Sequence, residues 1–487
     1  NFNAANEQRK TVLGRMHQER VITRNEFQNA MLMGVKILPQ NFNKKERVKS
    51  YAMDAIQREL NNALGQSNTE DGGLKIHTSI DLLLQNKVEE ILEKSLQAIE
   101  KRPGYNHPTK AQYDSIKLKK TPEYLQGSVV IMDNKTGAVL AIVGGRDIKD
   151  SEFNRALNAK RPLGSIFKPF VYTAAFNQGL MPGSLISDGP IKKNEIEGAQ
   201  TNWMPRNHDM KSYGLQTVNF GLYKSRNTMS ARIGNIAGID NIKALSEKVG
   251  IKISSSNPQI FLGNITSDLQ SITSAYTVFP NYGRRAPSFT IHSIDDINGK
   301  TFYKAAAQTY PAVSSGPITM TCIALEKVMS KHGTGSGSKA LGYKKQVGGK
   351  TGTTDDSKDT WFLGFSSRVT CGVWVGLDKP KTILKDAYAS NITLPIWTKI
   401  MQECEKFGYT AENMIPPIPM SEINLCRISG KRASKECIRS GNSYLEKIPY
   451  DSIPQDYCQI HSHIGLSKNR EKKPERLKVL KKLFQSN

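Results

Sequence analysis

The stretch that decides the fold is residues 162–176, which reads PLGSIFKPFVYTAAF. A turn-forming Leu-Gly step leads into an apolar run, and this pattern predicts a buried helix that begins near Ser165. Pro169 agrees with that start, because an α-helix tolerates proline only within its first turn. Residues three apart share one face of a helix, so Lys168 is expected beside Ser165. A serine next to an amine at a helix start suits nucleophilic catalysis.

Two short motifs further along the chain supply the other groups that acyl transfer through a serine ester requires. Residues 225–227, Ser-Arg-Asn, offer a hydroxyl and an amide. Residues 350–353, Lys-Thr-Gly-Thr, offer a cation and two hydroxyls just before a strand-like run at 360–365. A glycine beside a strand lets a ligand approach the backbone closely. With Ser165 and Lys168, these motifs predict a nucleophile, a base, a proton relay and an anion-binding strand edge.

Each motif also occurs elsewhere in the chain, and the local sequence distinguishes the copies. A second SxxK at residues 336–339 lies in a Gly/Ser-rich stretch that predicts a loop and not a helix start. A second KTG at 135–137 lies between two apolar runs and predicts a hairpin tip. Further SxN triplets occur at 255–257 and 467–469. We therefore assign the chemistry to the copies described above.

The sequence around these motifs resembles the class A (bifunctional) penicillin-binding proteins over about residues 74–405. The stretches that carry the resemblance are GSVVIMD at 127–133, TGAV at 136–139, VGGR at 143–146, FNRA at 153–156, PLGSIFKP at 162–169, KTGTT at 350–354 and DTWFLGF at 359–365. The resemblance implies a penicillin-binding, serine D,D-transpeptidase that cross-links peptidoglycan stem peptides through an acyl-enzyme on Ser165. Its implied substrates are D-Ala-D-Ala peptides, with β-lactams as inhibitors and no cofactor.

The same resemblance implies a role for each motif residue around the acyl-enzyme. Lys168 takes the proton of Ser165, and it must be neutral to do so; burial and the charge of Lys350 are expected to lower its pKa. Ser225 relays a proton to the leaving amine. Asn227 binds the donor amide and helps to hold Lys168. The middle residue of this motif, Arg226, is expected to be exposed and without a role in the chemistry.

The third motif is expected to bind the acyl donor. Lys350, Thr351 and Thr353 receive its terminal carboxylate, since this needs positive charge and hydroxyl donors, and Gly352 belongs to the same binding strand. By the resemblance, the backbone N–H groups of Ser165 and Thr353 form the oxyanion hole.

The N-terminal residues resemble the last helices of a peptidoglycan glycosyltransferase domain. The similar residues are NEQRKTVLGRM at 6–16, followed by Ile22, Thr23 and Glu26. The chain has no Glu-Asp-x-x-Phe motif, which would carry the catalytic glutamate of that domain. We therefore expect no polymerase activity, and we interpret the chain as a C-terminal fragment of a longer protein or a truncated gene product.

Three other functions share these motifs. A D,D-carboxypeptidase has the same residues and uses water as the acceptor, and a non-catalytic β-lactam sensor keeps the fold. A class A β-lactamase needs a Glu-x-x-Leu-Asn motif between SxN and KTG. The glutamates in that interval, Glu247 and Glu326, do not lie in such a motif, which disfavours a lactamase.

The net charge of +24 suggests an anionic partner. Part of this charge lies in a basic tail at residues 468–482. The sequence contains no RRM, KH or zinc-finger pattern, so nucleic acid is not expected. Anionic lipid and wall polymer explain the charge better, at the extracytoplasmic (periplasmic) face of a bacterial cytoplasmic membrane. The sequence contains no long apolar run, so a membrane anchor is not expected within this chain.

Of the six cysteines, three lie in a polar C-terminal segment. By resemblance to relatives, Cys426 and Cys437 are expected to form a short disulfide loop, which suits an exported domain. The alternative is a metal site of Cys458, His461 and His463 with one of these two cysteines. Its spacing matches no standard zinc pattern, so we predict no metal.

The order of elements predicts an α+β fold, in which helices cover an antiparallel sheet. A hairpin at 127–144 begins the sheet, strands near 345–353, 360–366 and 370–377 complete it, and helices lie between them at 165–178, 214–236 and 240–249. The predicted parts are a helical glycosyltransferase remnant and linker at 1–64, a lead-in region with an inserted loop at 65–125, the transpeptidase domain at 126–410 and a Cys-containing extension with a basic tail at 411–487.

Overall fold

The computed structural model of this chain describes residues 2–34, 49–64, 73–116 and 121–461. The basic tail, His463, the SxN copy at 467–469 and most of the predicted linker, residues 65–72, lie outside the described residues. The chain divides into two compact units, with the boundary between residues 49 and 50.

The first unit is helical, as its sequence predicts, with α1 at Phe2–Gln18 and α2 at Arg24–Leu32. Thr23 caps α2, because its side chain accepts from the backbone of Glu26 while the Glu26 carboxylate accepts from the Thr23 N–H.

The second unit begins with α3 (Tyr51–Leu64), β1 (Lys75–Thr78), α4 (Leu82–Glu100), α5 (Lys110–Asp114), β2 (Gln126–Asp133), β3 (Val139–Val143), α6 (Arg155–Asn158), β4 (Arg161–Pro162), α7 (Lys168–Asn177), β5 (Leu185–Ser187), β6 (Leu215–Thr217), α8 (Val218–Tyr223), α9 (Asn227–Ala237) and α10 (Ile239–Lys248). It continues with β7 (Thr266–Ser267), α11 (Leu269–Tyr276), β8 (Arg284–Arg285), β9 (Ile291–Asp295), β10 (Thr301–Lys304), β11 (Tyr310–Pro311), α12 (Ser315–Val328), α13 (Gly337–Ala340), β12 (Gly348–Thr353), β13 (Asp359–Phe365), β14 (Val369–Gly376), α14 (Thr393–Lys406), β15 (Met420–Cys426), α15 (Lys435–Arg439) and β16 (Ser443–Pro449).

The centre of this unit is a five-stranded antiparallel sheet in the order β12-β13-β14-β2-β3. Every residue of β13 and β14 is buried, because helices cover both faces. On one face a side chain at Gly364 would meet Trp397 of α14, and one at Gly127 would meet Leu92 of α4. On the other face Gly372 lies against Thr273 of α11. The predicted α+β class and the predicted strands are confirmed, and the KTG copy at 135–137 lies in the β2–β3 turn as expected.

Several elements differ from the sequence-based prediction. Strand β1 pairs with β9 in a separate three-stranded sheet, and α3 packs beside it through a small core of Ile56, Leu60, Ile291 and Ile294. The insertion that was predicted as a polar loop contains α5, capped by the side chain of Thr109. The predicted loop at the second SxxK carries the short helix α13, with Lys339 exposed.

The nucleophile and SxN segments also depart from simple helices. Residues Gly164–Phe167 form a 3-10 turn, and α7 begins only at Lys168. The single helix predicted at 214–236 is divided into β6, α8 and α9, with the SxN motif at the break. Within the described ranges, no helix combines the length and the apolar character that a membrane crossing requires.

Candidate active site

Ser165 lies in the 3-10 turn that leads into α7, at the end of the cleft that faces β12. The turn is fixed on three sides. Gly164 adopts φ +54 and its N–H donates to the Gly263 carbonyl at 3.0 Å, while Tyr276 Oη donates to the Ile166 carbonyl. Strand β12 comes so close that a side chain on Gly352 would lie 2.8 Å from Ile166. Glycine at this position therefore allows the KTG strand to reach the nucleophile turn.

Lys168 is completely buried and is held by oxygen atoms of the SxN motif. Its Nζ donates to the Ser225 carbonyl at 2.8 Å, to Asn227 Oδ1 at 2.7 Å and to Ser225 Oγ at 3.4 Å. Burial, and then the charges of Lys350 and Arg226, hold its pKa well below the usual value for a lysine. None of these three oxygen atoms belongs to a carboxylate, so no negative charge among these partners offsets the effect of burial on the pKa.

The hydroxyl of Ser165 makes no hydrogen bond with any residue that the structure describes, and so it is free to face a substrate. Ser165 and Lys168, which are both described by the structure, share no hydrogen bond in this conformation. Catalytic hydrogen bonds are often long before a substrate binds, and tighten only in the complex.

Ser225 closes α8 in a position where glycine is usual. Its N–H donates to the Leu222 carbonyl at 3.0 Å, and the Arg226 N–H donates to the Gly221 carbonyl at 2.8 Å, which is the Schellman pattern of a helix end. Ser225 has φ +57, in the left-handed region that favours glycine. This turn points the hydroxyl at two amines, because Lys350 Nζ also donates to Ser225 Oγ, at 2.8 Å.

Asn227 begins α9, and its side chain bridges Lys168 and the far wall of the cleft. Its Oδ1 accepts from Lys168, and its Nδ2 donates to the Arg206 carbonyl at 2.9 Å. The Asn227 N–H donates to Asn207 Oδ1 at 2.8 Å. Asn207 thus satisfies a free N–H at the start of α9 and fixes the position of Asn227.

Arg226 is buried, which corrects the expectation that it is exposed. Only 6% of its surface is accessible, and its guanidinium contacts Asp188 at 3.0 Å and Asp209 at 2.8 Å, with its charged carbon 5.0 Å from the centre of the Tyr213 ring. The reason is geometric: the left-handed turn at Ser225 directs the next side chain away from the cleft and into the protein. Arg226 therefore positions both of its neighbours in the SxN motif.

Asp188 was not predicted from the sequence. It is fully buried, and besides Arg226 it accepts hydrogen bonds from Asn207 Nδ2 at 2.8 Å and from Thr228 Oγ1 at 2.9 Å. The residues of this network are far apart in the chain and match no short motif. The one available signal was the arginine within SxN, since a cation next to two catalytic side chains needs a carboxylate partner.

Along the KTG strand, successive side chains point to opposite faces, as in any β-strand. Lys350 points inward and is buried, and burial lowers its pKa to about 7. Thr351 and Thr353 line the cleft. Thr351 Oγ1 and Thr334 Oγ1 are 2.8 Å apart, and Thr353 Oγ1 accepts from the Ala389 N–H at 3.1 Å, which leaves the Thr353 hydroxyl proton available.

The cleft has a volume of about 1280 Å³, so it can accept a peptide segment. Five predicted site residues line it: Ser165, Ser225, Asn227, Thr351 and Thr353. Its far side carries apolar and aromatic side chains, among them Trp203, Met210 and the edge-to-face pair His208 and Tyr388.

The expected disulfide between Cys426 and Cys437 is not formed in this structure, where both thiols are free. They converge instead with Cys458 on the side chain of His461. The reason is that the β15–β16 hairpin and the segment after it bring the third sulfur and the imidazole to the same place.

Comparison with known proteins identifies the family. The model of the family described as the penicillin binding protein transpeptidase domain matches residues 127–402, which is more than half of the chain and includes every predicted catalytic residue. The chain belongs to the penicillin-binding protein transpeptidase family. The family resemblance inferred from the motifs is thus confirmed.

Among curated members of this family, penicillin-binding protein 1A of Rickettsia bellii is 32% identical over 366 residues, which cover 70% of this chain and 44% of that protein. Penicillin-binding protein 1A of Neisseria lactamica is 37% identical over 289 residues, which cover 57% of this chain and 36% of that protein. Penicillin-binding protein 1A of Aquifex aeolicus is 28% identical over 472 residues, which cover 84% of this chain and 64% of that protein. The chain thus spans about half the length of these relatives.

Solved penicillin-binding proteins share the fold. Penicillin-binding protein 1A of Haemophilus influenzae superimposes with a TM-score of 0.69 at 20% identity, covering 94% of this chain and 84% of that one. The PonA1 protein of Mycobacterium tuberculosis in complex with penicillin V gives a TM-score of 0.62 at 22% identity, and the superposition covers 76% of this chain and 96% of that one. At these identities the comparison supports the fold alone.

Proposed function

We propose that this chain is a serine D,D-transpeptidase that cross-links peptidoglycan stem peptides and is acylated by β-lactams at Ser165. The observation that carries the proposal is the environment of Lys168, whose amine is buried among uncharged oxygen atoms one helical turn from a cleft-facing serine. Burial lowers the pKa of this amine and so favours the neutral form, which can take a proton as a general base must.

In the proposed acylation, Lys168 Nζ takes the proton of Ser165 as Oγ attacks the carbonyl carbon of the penultimate D-Ala. The new Oγ–C bond forms as the carbonyl π electrons move to oxygen, and the backbone N–H groups of Ser165 and Thr353 stabilise that oxyanion. The C–N bond then breaks. The proton passes from Lys168 through Ser225 Oγ to the leaving amine, and D-Ala departs.

In the proposed second half, the amine of a neighbouring stem peptide attacks the ester. Its proton goes to Lys168, the tetrahedral intermediate collapses, and the ester oxygen leaves as the Ser165 hydroxyl after it regains a proton. Asn227 and the 2.8 Å bond from Lys350 to Ser225 Oγ keep the relay in place during both halves.

The donor carboxylate is proposed to bind at β12. Thr351 and Thr353 line the cleft and can donate hydroxyl hydrogen bonds, while the buried Lys350, whose amine donates to Ser225 Oγ, supplies positive charge. The net charge of +24 supports a site of action near anionic lipid and wall polymer, on the extracytoplasmic side of a bacterial membrane.

The experiment that tests this proposal is labelling with a fluorescent penicillin followed over hours. Wild type is expected to label at one site and to release the label slowly. Ser165→Ala should abolish labelling, and Ser336→Ala in the second SxxK provides a matched control that labels normally. Labelling that survives Ser165→Ala would reject the assignment, and fast turnover of the penicillin would indicate a β-lactamase.

A second assay separates transpeptidase from carboxypeptidase and sensor. Purified protein is given a D-Ala-D-Ala pentapeptide strand together with a labelled D-amino acid as acceptor. Incorporation of the labelled amine supports transpeptidation. Release of D-Ala without incorporation indicates a carboxypeptidase, and acylation by penicillin with neither product indicates a sensor.

A further inference from the structure

The C-terminal extension contains a cluster of four side chains outside the active site. Cys426, Cys437, Cys458 and His461 are all buried, and their sulfur and nitrogen atoms lie within 4.8 Å of one another. Few apolar side chains surround them: the three cysteines form the core of this region, with Ile428, Ala433 and Ile460 only partly buried against them. The rest of the hairpin packs into the core of the catalytic domain through Leu425, Tyr444 and Ile448, so a cross-link would add stability at the end where apolar contacts are few.

The sulfur-to-nitrogen distances within the cluster are close to those around a tetrahedral zinc ion. His461 Nδ1 lies 3.5 Å from the sulfur of Cys426, 3.1 Å from that of Cys437 and 3.4 Å from that of Cys458. With Zn–S of about 2.3 Å and Zn–N of about 2.0–2.1 Å, a regular tetrahedron has a sulfur-to-nitrogen edge of about 3.5 Å.

Hydrogen bonding and disulfide formation explain this arrangement less well. A neutral imidazole nitrogen has one lone pair, so at most one of the three thiols can donate to His461 Nδ1. A disulfide would join two of the three sulfur atoms, and the third thiol would remain buried beside the histidine without a second cysteine to pair with. All three cysteines are free in this structure.

The backbone around the cluster is arranged as around a metal-bound thiolate. The N–H groups of Ile428 and Ser429 both donate to Cys426 Sγ at 3.4 Å, and Ser434 Oγ lies 3.3 Å from Cys437 Sγ. Such bonds to sulfur orient metal ligands and stabilise their negative charge.

The ligands come from separate segments that backbone hydrogen bonds hold together. Cys426 ends β15 and its N–H donates to the Lys431 carbonyl at 2.8 Å, while the Cys458 N–H donates to the Arg432 carbonyl at 2.8 Å. Cys458 and His461 are separated by two residues, so one short turn provides two of the four ligands.

We propose that Cys426, Cys437, Cys458 and His461 bind one Zn²⁺ ion in a closed, structural Cys3His site. Binding releases the three thiol protons and leaves no open coordination position for a substrate. The ion cross-links β15, α15 and the segment after β16, where few apolar side chains are buried.

A backbone hydrogen bond connects the proposed zinc site with the segment that supports the active centre. The carbonyl of Arg427, next to Cys426, accepts from the Leu185 N–H at 2.9 Å at the start of β5. Strand β5 ends immediately before Asp188, the carboxylate that holds Arg226 in the SxN motif. Loss of the ion is therefore expected to loosen the active site as well as the extension.

The test is the metal content of the full chain, purified without added metal or chelator and gel-filtered to remove loosely bound ions. We expect about one Zn²⁺ per chain by elemental analysis, in line with one closed four-ligand site. Replacement by Co²⁺ should give the strong thiolate-to-cobalt absorption and the visible bands of a tetrahedral sulfur site. Alkylation without reductant should modify the three thiols only after a strong chelator removes the ion.

Variants provide the controls. Cys437→Ser and His461→Ala should each lose zinc and lower the melting temperature, whereas Cys404→Ala, which removes a buried cysteine outside the cluster, should keep the ion. If a variant fails to fold, the cobalt spectrum of the wild-type protein and the number of thiols that can be alkylated in it still test the proposal. A metal-free wild type that contains a disulfide among these cysteines, or zinc retained in Cys437→Ser, would overturn the proposal.

Discussion

Lys350 donates a 2.8 Å hydrogen bond to the hydroxyl of Ser225, and Lys168 donates to the same oxygen at 3.4 Å. Two buried amines that share one hydroxyl disfavour each other's positive charge, and this lowers the pKa of Lys168 in addition to the effect of burial. In the proposed mechanism the two amines have different roles: Lys168 acts as the base, and Lys350 carries the charge that an anionic donor meets.

The first prediction is a bell-shaped pH dependence of acylation by penicillin. The second-order rate constant should rise with pH as Lys168 loses its proton, and it should fall above about pH 7 as Lys350, with a pKa of about 7, loses the charge that attracts the carboxylate. Stopped-flow measurement of labelling across the pH range tests this.

A neutral donor provides the control for this profile. A thioester or ester substrate without the carboxylate should keep the rising limb, which belongs to Lys168, and lose the falling limb. A falling limb of the same size for both donors would mean that Lys350 does not act on the carboxylate.

The second prediction concerns the two carboxylates that bind Arg226. Asp188 is fully buried and Asp209 is 38% exposed, although both contact the same guanidinium. Asp188→Asn removes the fully buried partner of Arg226 and leaves it only the part-exposed Asp209, so we expect a loss of roughly 3–5 kcal/mol in stability and much slower acylation. Asp209→Asn should cost about 1 kcal/mol or less.

Thermal unfolding and acylation kinetics measure this difference, with the folded fraction checked by circular dichroism. The positioning role of Arg226 has its own readout: Arg226→Lys should slow acylation but keep its pH profile, because lysine keeps the positive charge that lowers the Lys168 pKa and cannot reproduce the guanidinium contacts with Asp188 and Asp209. Equal effects of the two aspartate variants would contradict the network described here.

The sequence could reveal those parts of the site whose residues lie close together in the chain. Ser165 and Lys168 are three residues apart on one turn, and residues 350–353 lie on one strand, so short-range rules place them. The sheet was predictable for the same reason, since apolar alternation and turn residues mark its strands.

The rest depends on contacts between distant segments. The burial of Arg226 needs Asp188, which lies 38 residues away in the chain, and no local pattern connects the two. The break between α8 and α9 was missed because Ser225 takes a backbone conformation that serine rarely adopts. Cys426 and Cys437 were expected to form a disulfide by resemblance to relatives. The alternative metal site did include Cys458 and His461, but it was disfavoured because their spacing matches no standard zinc pattern, and spacing alone cannot show which segments meet in the fold.

The third prediction compares two substitutions of Ser225. Both Ser225→Gly and Ser225→Ala remove the hydroxyl, so acylation should be strongly slowed in both. They differ in the backbone: at φ +57 glycine has no strain and alanine does, so the glycine variant should be more stable by about 1 kcal/mol. Chemical denaturation of the two variants side by side measures this, and equal stabilities would mean that the turn is not strained.

The fourth prediction tests how the extension docks on the catalytic domain. Tyr444 of β16 lies directly against Gly183, where an added methyl group would be 2.1 Å from the ring. Gly183→Ala should therefore destabilise the protein by about 1–3 kcal/mol through overpacking. Gly337→Ala is the matched control, because a methyl group there meets only Leu394 at 3.4 Å, and it should be neutral or slightly stabilising.

The origin of the Gly183→Ala effect can be assigned with a double-mutant cycle. Tyr444→Ala removes the ring that the new methyl group strikes, so the double variant should lose less stability than the sum of the two single changes. Because the Gly183 turn precedes β5 and Asp188, Gly183→Ala should also slow penicillin acylation, and Tyr444→Ala in the same chain should restore part of the rate. Additive losses in the cycle would show that the methyl group acts on another contact and that the extension does not press on this turn.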